Sequence, residues 1–176
     1  MRQIKLQQGV SLIEVLIVVA IIGVVLTLTA PAVTSLQQRL TVKGAVENIY
    51  FLLQLGKSNA IRQSNTITVD THADTSGWCM GITDNPNCDC ATVNSCTVDG
   101  REQVVSSADF SQVMMQNITF DANGQAQFDG IRGMPPLGAA QLEVSDNTNT
   151  VRLSITPTGR VDICNVAGDI GGYDAC

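Results

Sequence analysis

Between Val10 and Val33 the chain carries one formal charge, the carboxylate of Glu14, in an otherwise strongly apolar run of 24 residues. At about 1.5 Å per residue a helix of that length spans roughly 36 Å, enough to cross the hydrocarbon core of a bilayer. Such a segment cannot fold as part of one soluble body and has to be buried in lipid or among other helices. Arg2 and Lys5 precede it without an acidic neighbour, which predicts a cytoplasmic N-terminus and a single pass across the membrane. The remainder of the chain would then lie on the far side.

Glu14 is the anomaly. A charge in hydrocarbon costs about 3 kcal/mol on insertion scales. One account places it near the interface, about 6 Å along the helix from Val10, within reach of headgroups. The other requires a partner charge. Secretory processing does not fit the run either. A signal peptide has an apolar core of about 7–15 residues followed by a small-residue cleavage site. Here the core is longer and the small residue, Gly9, comes before it.

The cysteines favour an exported domain. All six (Cys79, Cys88, Cys90, Cys96, Cys164 and Cys176) lie beyond the apolar run, and an even number in such a place predicts disulfides. Zinc is the rival, but Cys88-Asp89-Cys90 with Cys96 lacks paired C-x₂-C spacing and the only histidine is His72. No other cofactor is expected.

Beyond Val33 the apolar positions Val42, Val46, Ile49, Leu53, Gly56 and Ala60 follow 4-3-4-3-4 spacing, one stripe of a helix facing a core. Gln63-Ser64-Asn65 should stop it. Strand-like segments follow at Thr66–Asp70 and Gly77–Thr83. Asp84–Thr97 reads as a polar, cysteine-stapled loop. Asn117–Asp121 and Gln125–Asp129 flank Ala122-Asn123-Gly124, predicting a hairpin. Ala140–Ser145 and Thr150–Ile155 flank Asp146-Asn147-Thr148-Asn149, a second, and a last strand runs to Cys164. The sum is an α+β chain: a long N-terminal helix, its first half spanning the membrane, packed on an antiparallel sheet domain. Its segments are 1–9 (leader), 10–33 (span), 34–62 (amphipathic helix) and 63–176 (β-rich periplasmic domain).

No catalytic constellation emerges, so the chain reads as a non-enzyme. His72 has no motif-placed nucleophile. Asp121, Asn123 and Asp129 lack the twelve-residue spacing of a calcium loop. The glycines at 168, 171 and 172 lack the strand–loop–helix context of a phosphate site.

The N-terminus resembles that of type IV prepilins: a short basic leader ending in Gly9, an apolar run, Glu14 at the fifth mature position and Pro31 at the twenty-second. Val10 departs from the commoner Phe at the first mature position. The resemblance implies a prepilin peptidase that cuts after Gly9 and methylates the new amine. It also implies that Glu14 pairs with the Val10 ammonium of a neighbouring subunit, offsetting the cost of burying either charge. A proline within a helix removes a backbone hydrogen bond, so a bend is expected at Pro31. "LGKSNAIRQSNTITV", "SGWCMGITD", "ITFDANGQAQFDGIRGMP" and "LSITPTGRVDIC" are similar, in order, to phrases of the minor pilin and pseudopilin subgroup FimT/GspH.

Pilins of this kind often staple their C-terminal region. The resemblance thus implies a Cys164–Cys176 bond, with Cys79, Cys88, Cys90 and Cys96 pairing among themselves; a free Cys176 is the alternative. The expected function is a minor pilin, with other pilin subunits as partners. A pseudopilin of type II secretion is the alternative, and a DNA receptor at a pilus tip the second. Some relatives take up DNA through Gly-Arg-x-Arg, but here Gly159-Arg160-Val161 is followed by Asp162. Loss of Arg2 and Lys5 with the leader would leave 10 − 2 = 8 basic against 16 acidic residues, a net of −8. That balance disfavours phosphate contacts.

Overall fold

The computed structural model describes residues 11–121 and 124–176, with the side chains of all of these except 28–32. Two compact units divide between Gln37 and Gln38. One helix, α1 (Leu12–Gln63), contributes its first part to the N-terminal unit and the rest to the C-terminal one.

In the N-terminal unit the helix is apolar on every face. Leu12, Ile13, Val15 to Val19, Ile21, Ile22 and Val24 to Leu26 are all exposed. Among the described residues no helix is long and apolar enough to cross a membrane. The described side chains of the apolar run are those of 11–27 and of Val33, so they cover the expected span of 10–33 only in part.

In the C-terminal unit α1 lies on two sheets. The first joins β1 (Ile67–Ala73), β2 (Trp78–Thr83), β5 (Val104–Ser106) and β7 (Gln125–Phe128) in the order β5-β2-β1-β7. The second joins β6 (Met114–Gln116), β8 (Ala140–Ser145), β9 (Thr150–Ile155) and β10 (Val161–Ala167) in the order β10-β9-β8-β6. A ribbon of β3 (Thr97–Val98) and β4 (Arg101–Glu102) lies beside them in sequence, and every pairing of named strands is antiparallel.

The predicted stripe on α1 is the buried one: Val42, Val46, Ile49, Leu53, Gly56 and Ala60 face a core that includes Ile67, Met80, Ile82, Phe128, Leu142 and Leu153. Helix and sheet approach each other at Gly56. A Cβ there would meet Ile82, Ile67 and Phe128 carbons at 3.5, 3.6 and 3.6 Å, ordinary van der Waals distances. Because alanine also favours the helix interior, Gly56→Ala is expected to stabilise the head by about 0.5–1 kcal/mol. A urea titration of the detergent-solubilised chain checks this, and an earlier midpoint would mean that the contact is already too tight. The helix stops in a Schellman arrangement: Ser64 takes a φ of 51°, the Asn65 amide donates to the Ala60 carbonyl (3.2 Å) and the Ser64 amide to that of Ile61 (3.3 Å).

Three expectations need correction. Asn117–Asp121 is not a strand. Its alternating Ile118 and Phe120 imitate one, but Asn117 has a φ of 51° and breaks the extended backbone. The predicted hairpin is therefore absent: β7 pairs with β1, and β6 just upstream pairs with β8. A local turn remains, with the Asp121 amide donating to the Gln125 carbonyl and the Gly124 amide to that of Asp121. Ala122 and Asn123 lie outside the described residues. Finally, β1 runs on to Ala73, so His72 sits within it, opposite Cys79, rather than after it.

Candidate functional site

Glu14 lies in the first turn of α1, where its amide donates to the Ser11 carbonyl (3.1 Å). A carboxylate in a first turn is favoured by the unpaired amides there. That turn leads into a helix whose described apolar residues in the N-terminal unit are exposed, Leu12 by 78% and Val24 by 61%. Such a helix is completed only by lipid or other helices. Gly9 and Val10 lie outside the described residues. So does the Pro31 side chain, although α1 is helical through that position.

The head is closed by disulfides in two places. Cys79–Cys90 and Cys88–Cys96 hold the polar loop after β2, with Cα separations of 5.8 and 5.1 Å. The alternation of the strands explains why the loop settles there. Val69 and Ile82 point to the helix, while Asp70 and Gly81, also opposite each other, point the other way. The loop covers that second face: the Cys90 amide donates to Asp70 Oδ2 (3.0 Å), the Thr68 hydroxyl donates to the Pro86 carbonyl, and Cys79, Cys90 and Cys96 form a small buried cluster.

Cys164–Cys176 ties the C-terminus to β10. The Asn165 amide donates to the Asp174 carbonyl (2.7 Å) and the Cys176 amide to that of Asn165 (2.9 Å), so the tail continues the sheet edge. Ile170 enters the core, 1% exposed, and the Lys43 ammonium donates to the Gly171 carbonyl (3.2 Å). The tail is thus held by α1 as well as by its bridge. Composition alone shows a glycine-rich segment and misses Ile170, its one buried aliphatic anchor.

Several charged groups are committed to the fold. Glu143 on β8 is opposite Arg152 on β9, joined at 3.0 and 2.7 Å, and Asn117 donates to its other oxygen. Burial raises the Glu143 pKa, but the hydrogen bonds from Asn117 and Arg152 outweigh it and hold the carboxyl below its ordinary range. Sequence reasoning missed this pair. Counting outward from the turn at Asp146–Asn149 would have placed the two residues opposite each other. Arg160 is bound by Asp162 at 2.6 Å, the residue that stands where the DNA-binding pattern has a second arginine. Gly159 is there for packing. It has a φ of 73°, a Cβ would fall 2.0 Å from the Gly133 carbonyl oxygen, and its own carbonyl accepts from Lys57 (2.9 Å).

A cavity of about 530 Å³ is lined by His72, Asp74, Trp78, Glu102 and Ser107, among others. Its polar groups bond to one another rather than to a reacting centre. The Ser76 hydroxyl and amide, His72 and the Gly77 amide all donate to Asp74 and hold its carboxyl well below the usual range. Ser107 Oγ accepts from the Trp78 amide, so neither serine is set against the imidazole in the manner of a nucleophile and base. Asp129 accepts the amides of Arg132, Ile131 and Met134, which lowers its pKa and commits its carboxylate to the turn. Among the described residues the one cluster with metal-ligand chemistry is Asp70, Cys88 and Cys96, and there the two thiols are joined to each other.

Comparison with known proteins agrees with these features. Residues 4–30 match the prokaryotic N-terminal methylation motif and residues 45–159 match the family of type II transport protein GspH. The fold is similar to a crystal structure of the type IV minor pilin FimU of Pseudomonas aeruginosa, with a TM-score of 0.51 and 18% identity over 71% of this chain and 89% of that one. A second crystal form of FimU gives 0.49 and 17%, over 69% and 90%. None of the curated proteins matches. The apolar helix with a carboxylate one turn in, the matched methylation motif and the disulfide-closed α+β head make this chain a member of the GspH family, within the type IV pilin and pseudopilin superfamily.

Proposed function

We propose that the chain is a minor pilin of a type IV pilus, a structural subunit that helps to initiate and assemble the filament. The observation that carries this is the first part of α1, apolar on every face and exposed, with Glu14 one turn from its start. In a bundle of like helices the apolar faces cover one another and Glu14 meets the terminal ammonium of a neighbour. Before assembly the chain sits in the inner membrane with its N-terminus cytoplasmic and its head periplasmic, and a prepilin peptidase cuts after Gly9. The short leader and the acidic, disulfide-closed head favour a pilus, and the fold shared with a type IV minor pilin supports that choice.

The match of 45–159 to type II transport protein GspH favours a second reading, a pseudopilin of the type II secretion system. Deleting the gene separates the two. Loss of surface pili with secretion intact supports the pilus; loss of type II secretion with pili intact supports the pseudopilus. A tip receptor for DNA is disfavoured, since Arg160 and Arg152 are bound by Asp162 and Glu143.

Glu14→Ala is expected to leave membrane insertion intact, because it removes a charge from the apolar segment, and to impair incorporation into filaments. Immunoblots of sheared filaments against membrane fractions measure the split. Wild-type incorporation of the variant would show that Glu14 has no ammonium partner in this subunit.

A further inference from the structure

The two bridges over β2 cross in sequence: Cys79 pairs with Cys90 and Cys88 with Cys96, so each loop contains one end of the other. Four cysteines allow three pairings. One of them joins Cys88 to Cys90 across a single residue, where disulfide geometry is strained. The other two compete. Consecutive pairing (Cys79–Cys88 and Cys90–Cys96) closes separations of 88 − 79 = 9 and 96 − 90 = 6 residues, against 11 and 8 for the crossed pairing. Loop-closure entropy therefore favours the consecutive pairs about twofold in an unfolded chain. Export from the N-terminus outward adds to that bias, since Cys79 and Cys88 emerge before Cys90.

We propose that the Cys88-Asp89-Cys90 segment is a substrate site for a thiol–disulfide isomerase, which converts consecutive pairs formed on export into the crossed pairs of the folded head. It rests on the periplasmic placement of the head given above. A dithiol-oxidising protein first takes up four electrons and four protons from the four thiols. The exchange that follows is redox-neutral. An isomerase thiolate attacks Cys88 Sγ in the Cys79–Cys88 bond, forming a mixed disulfide and releasing the Cys79 thiolate. Cys79 attacks Cys90 in the Cys90–Cys96 bond and releases Cys96. Cys96 then attacks Cys88 in the mixed disulfide, closing Cys88–Cys96 and returning the isomerase thiolate.

The folded head favours the crossed product. A Cβ at Gly81 would fall 2.6 Å from Cys96 Cβ and Sγ and 3.2 Å from Cys90 Cβ, so both bridges are packed on the one bare position of β2. Cys79, Cys90 and Cys96 are buried, and Cys88 alone of the four is half-buried, the sulfur that an outside thiolate can approach. A carboxylate oxygen of Asp70 lies within 4.8 Å of the Cys88 and Cys96 sulfurs. A negative charge there disfavours either thiolate as a leaving group, which locks the product once formed.

The test expresses the full chain in two bacterial hosts, one with and one without periplasmic disulfide isomerase, traps thiols by alkylation and maps the bridges. Cleavage before Asp74, Asp84, Asp89 and Asp99 yields peptides 74–83, 84–88 and 89–98. The crossed pattern links all three. The consecutive pattern links 74–83 to 84–88 and leaves 89–98 with an internal bridge. The expected result is the crossed map in the first host and, in the second, the consecutive map in about two thirds of chains, as the closure ratio gives. The Cys164–Cys176 bridge should form in both. The crossed map in both hosts overturns the proposal alone. Free thiols at all six positions overturn the periplasmic placement and the proposal with it.

Discussion

A Gly9→Val chain is expected to keep its first nine residues, with almost no mature protein formed. A residue with no side chain lets a protease approach the backbone on both sides of the scissile bond, and valine adds a branched Cβ at that spot. Mass spectrometry of membrane-extracted wild type should show the loss of Met1–Gly9 and the gain of one methyl group, and the variant should show neither change. The consequence reaches past processing. Without cleavage Val10 has an amide in place of an ammonium, so the carboxylate of a neighbour's Glu14 has no partner, and Arg2 and Lys5 stay attached to the helix. The uncleaved variant should therefore collect in the membrane and be missing from filaments. A wild-type N-terminus found beyond Val33 would mean secretory processing and would sink the pilin assignment of this segment.

Arg152→Ala is expected to destabilise the head by about 3 kcal/mol at neutral pH, the low end for a buried pair broken from one side, because Arg152 itself is one-third exposed. The cost comes from Glu143, whose side chain is 5% exposed and would keep its charge with only Asn117 to satisfy it. In the wild type the Glu143 pKa is lowered, so its contribution is fully present above the ordinary carboxylate range and is lost as pH falls through the folded value. Without Arg152, burial dominates and the pKa rises. The gap between variant and wild type should thus be widest near pH 7 and narrow toward pH 4. Urea unfolding of the detergent-solubilised chain at both values measures it. A gap that does not change with pH would mean that the arginine acts through packing of its stem alone.

The helix and the second hairpin were legible because their signals are periodic. The stripe from Val42 to Ala60 repeats over five turns, and β8 and β9 end on either side of Asp146, whose carboxylate takes up the amides of Thr148 and Asn149. Asn117–Asp121 misled because alternation reports side-chain direction only, while the positive φ at Asn117 belongs to the backbone. The strands β3 to β6 are two or three residues long, too short to show any period. In the candidate site, Gly9, Val10 and Glu14 are proposed from offsets that are local in the sequence. The Glu143–Arg152 pair, nine residues apart across one turn, was within reach of the register counted outward from that turn, whereas the clips from Lys43 and Lys57 join residues more than a hundred positions apart, and no local pattern announces them.

The attachment of the tail bears on how the head carries load. Tension applied between residues 164 and 176 has no loose end to peel from, since the segment is a ring closed by its bridge. It divides into two routes. One enters β10 through Cys164 and is shared along a ladder of antiparallel hydrogen bonds. The other enters α1 through Lys43, on the helix whose buried stripe anchors the whole head, while Ile170 is set in the shared core. A partner that holds the tail thus pulls on the backbone element that continues into the apolar segment, and the sheets bear only part of the strain. Reducing the one bridge would turn this shared shear into the stepwise peeling of a free end, with a correspondingly lower force of release.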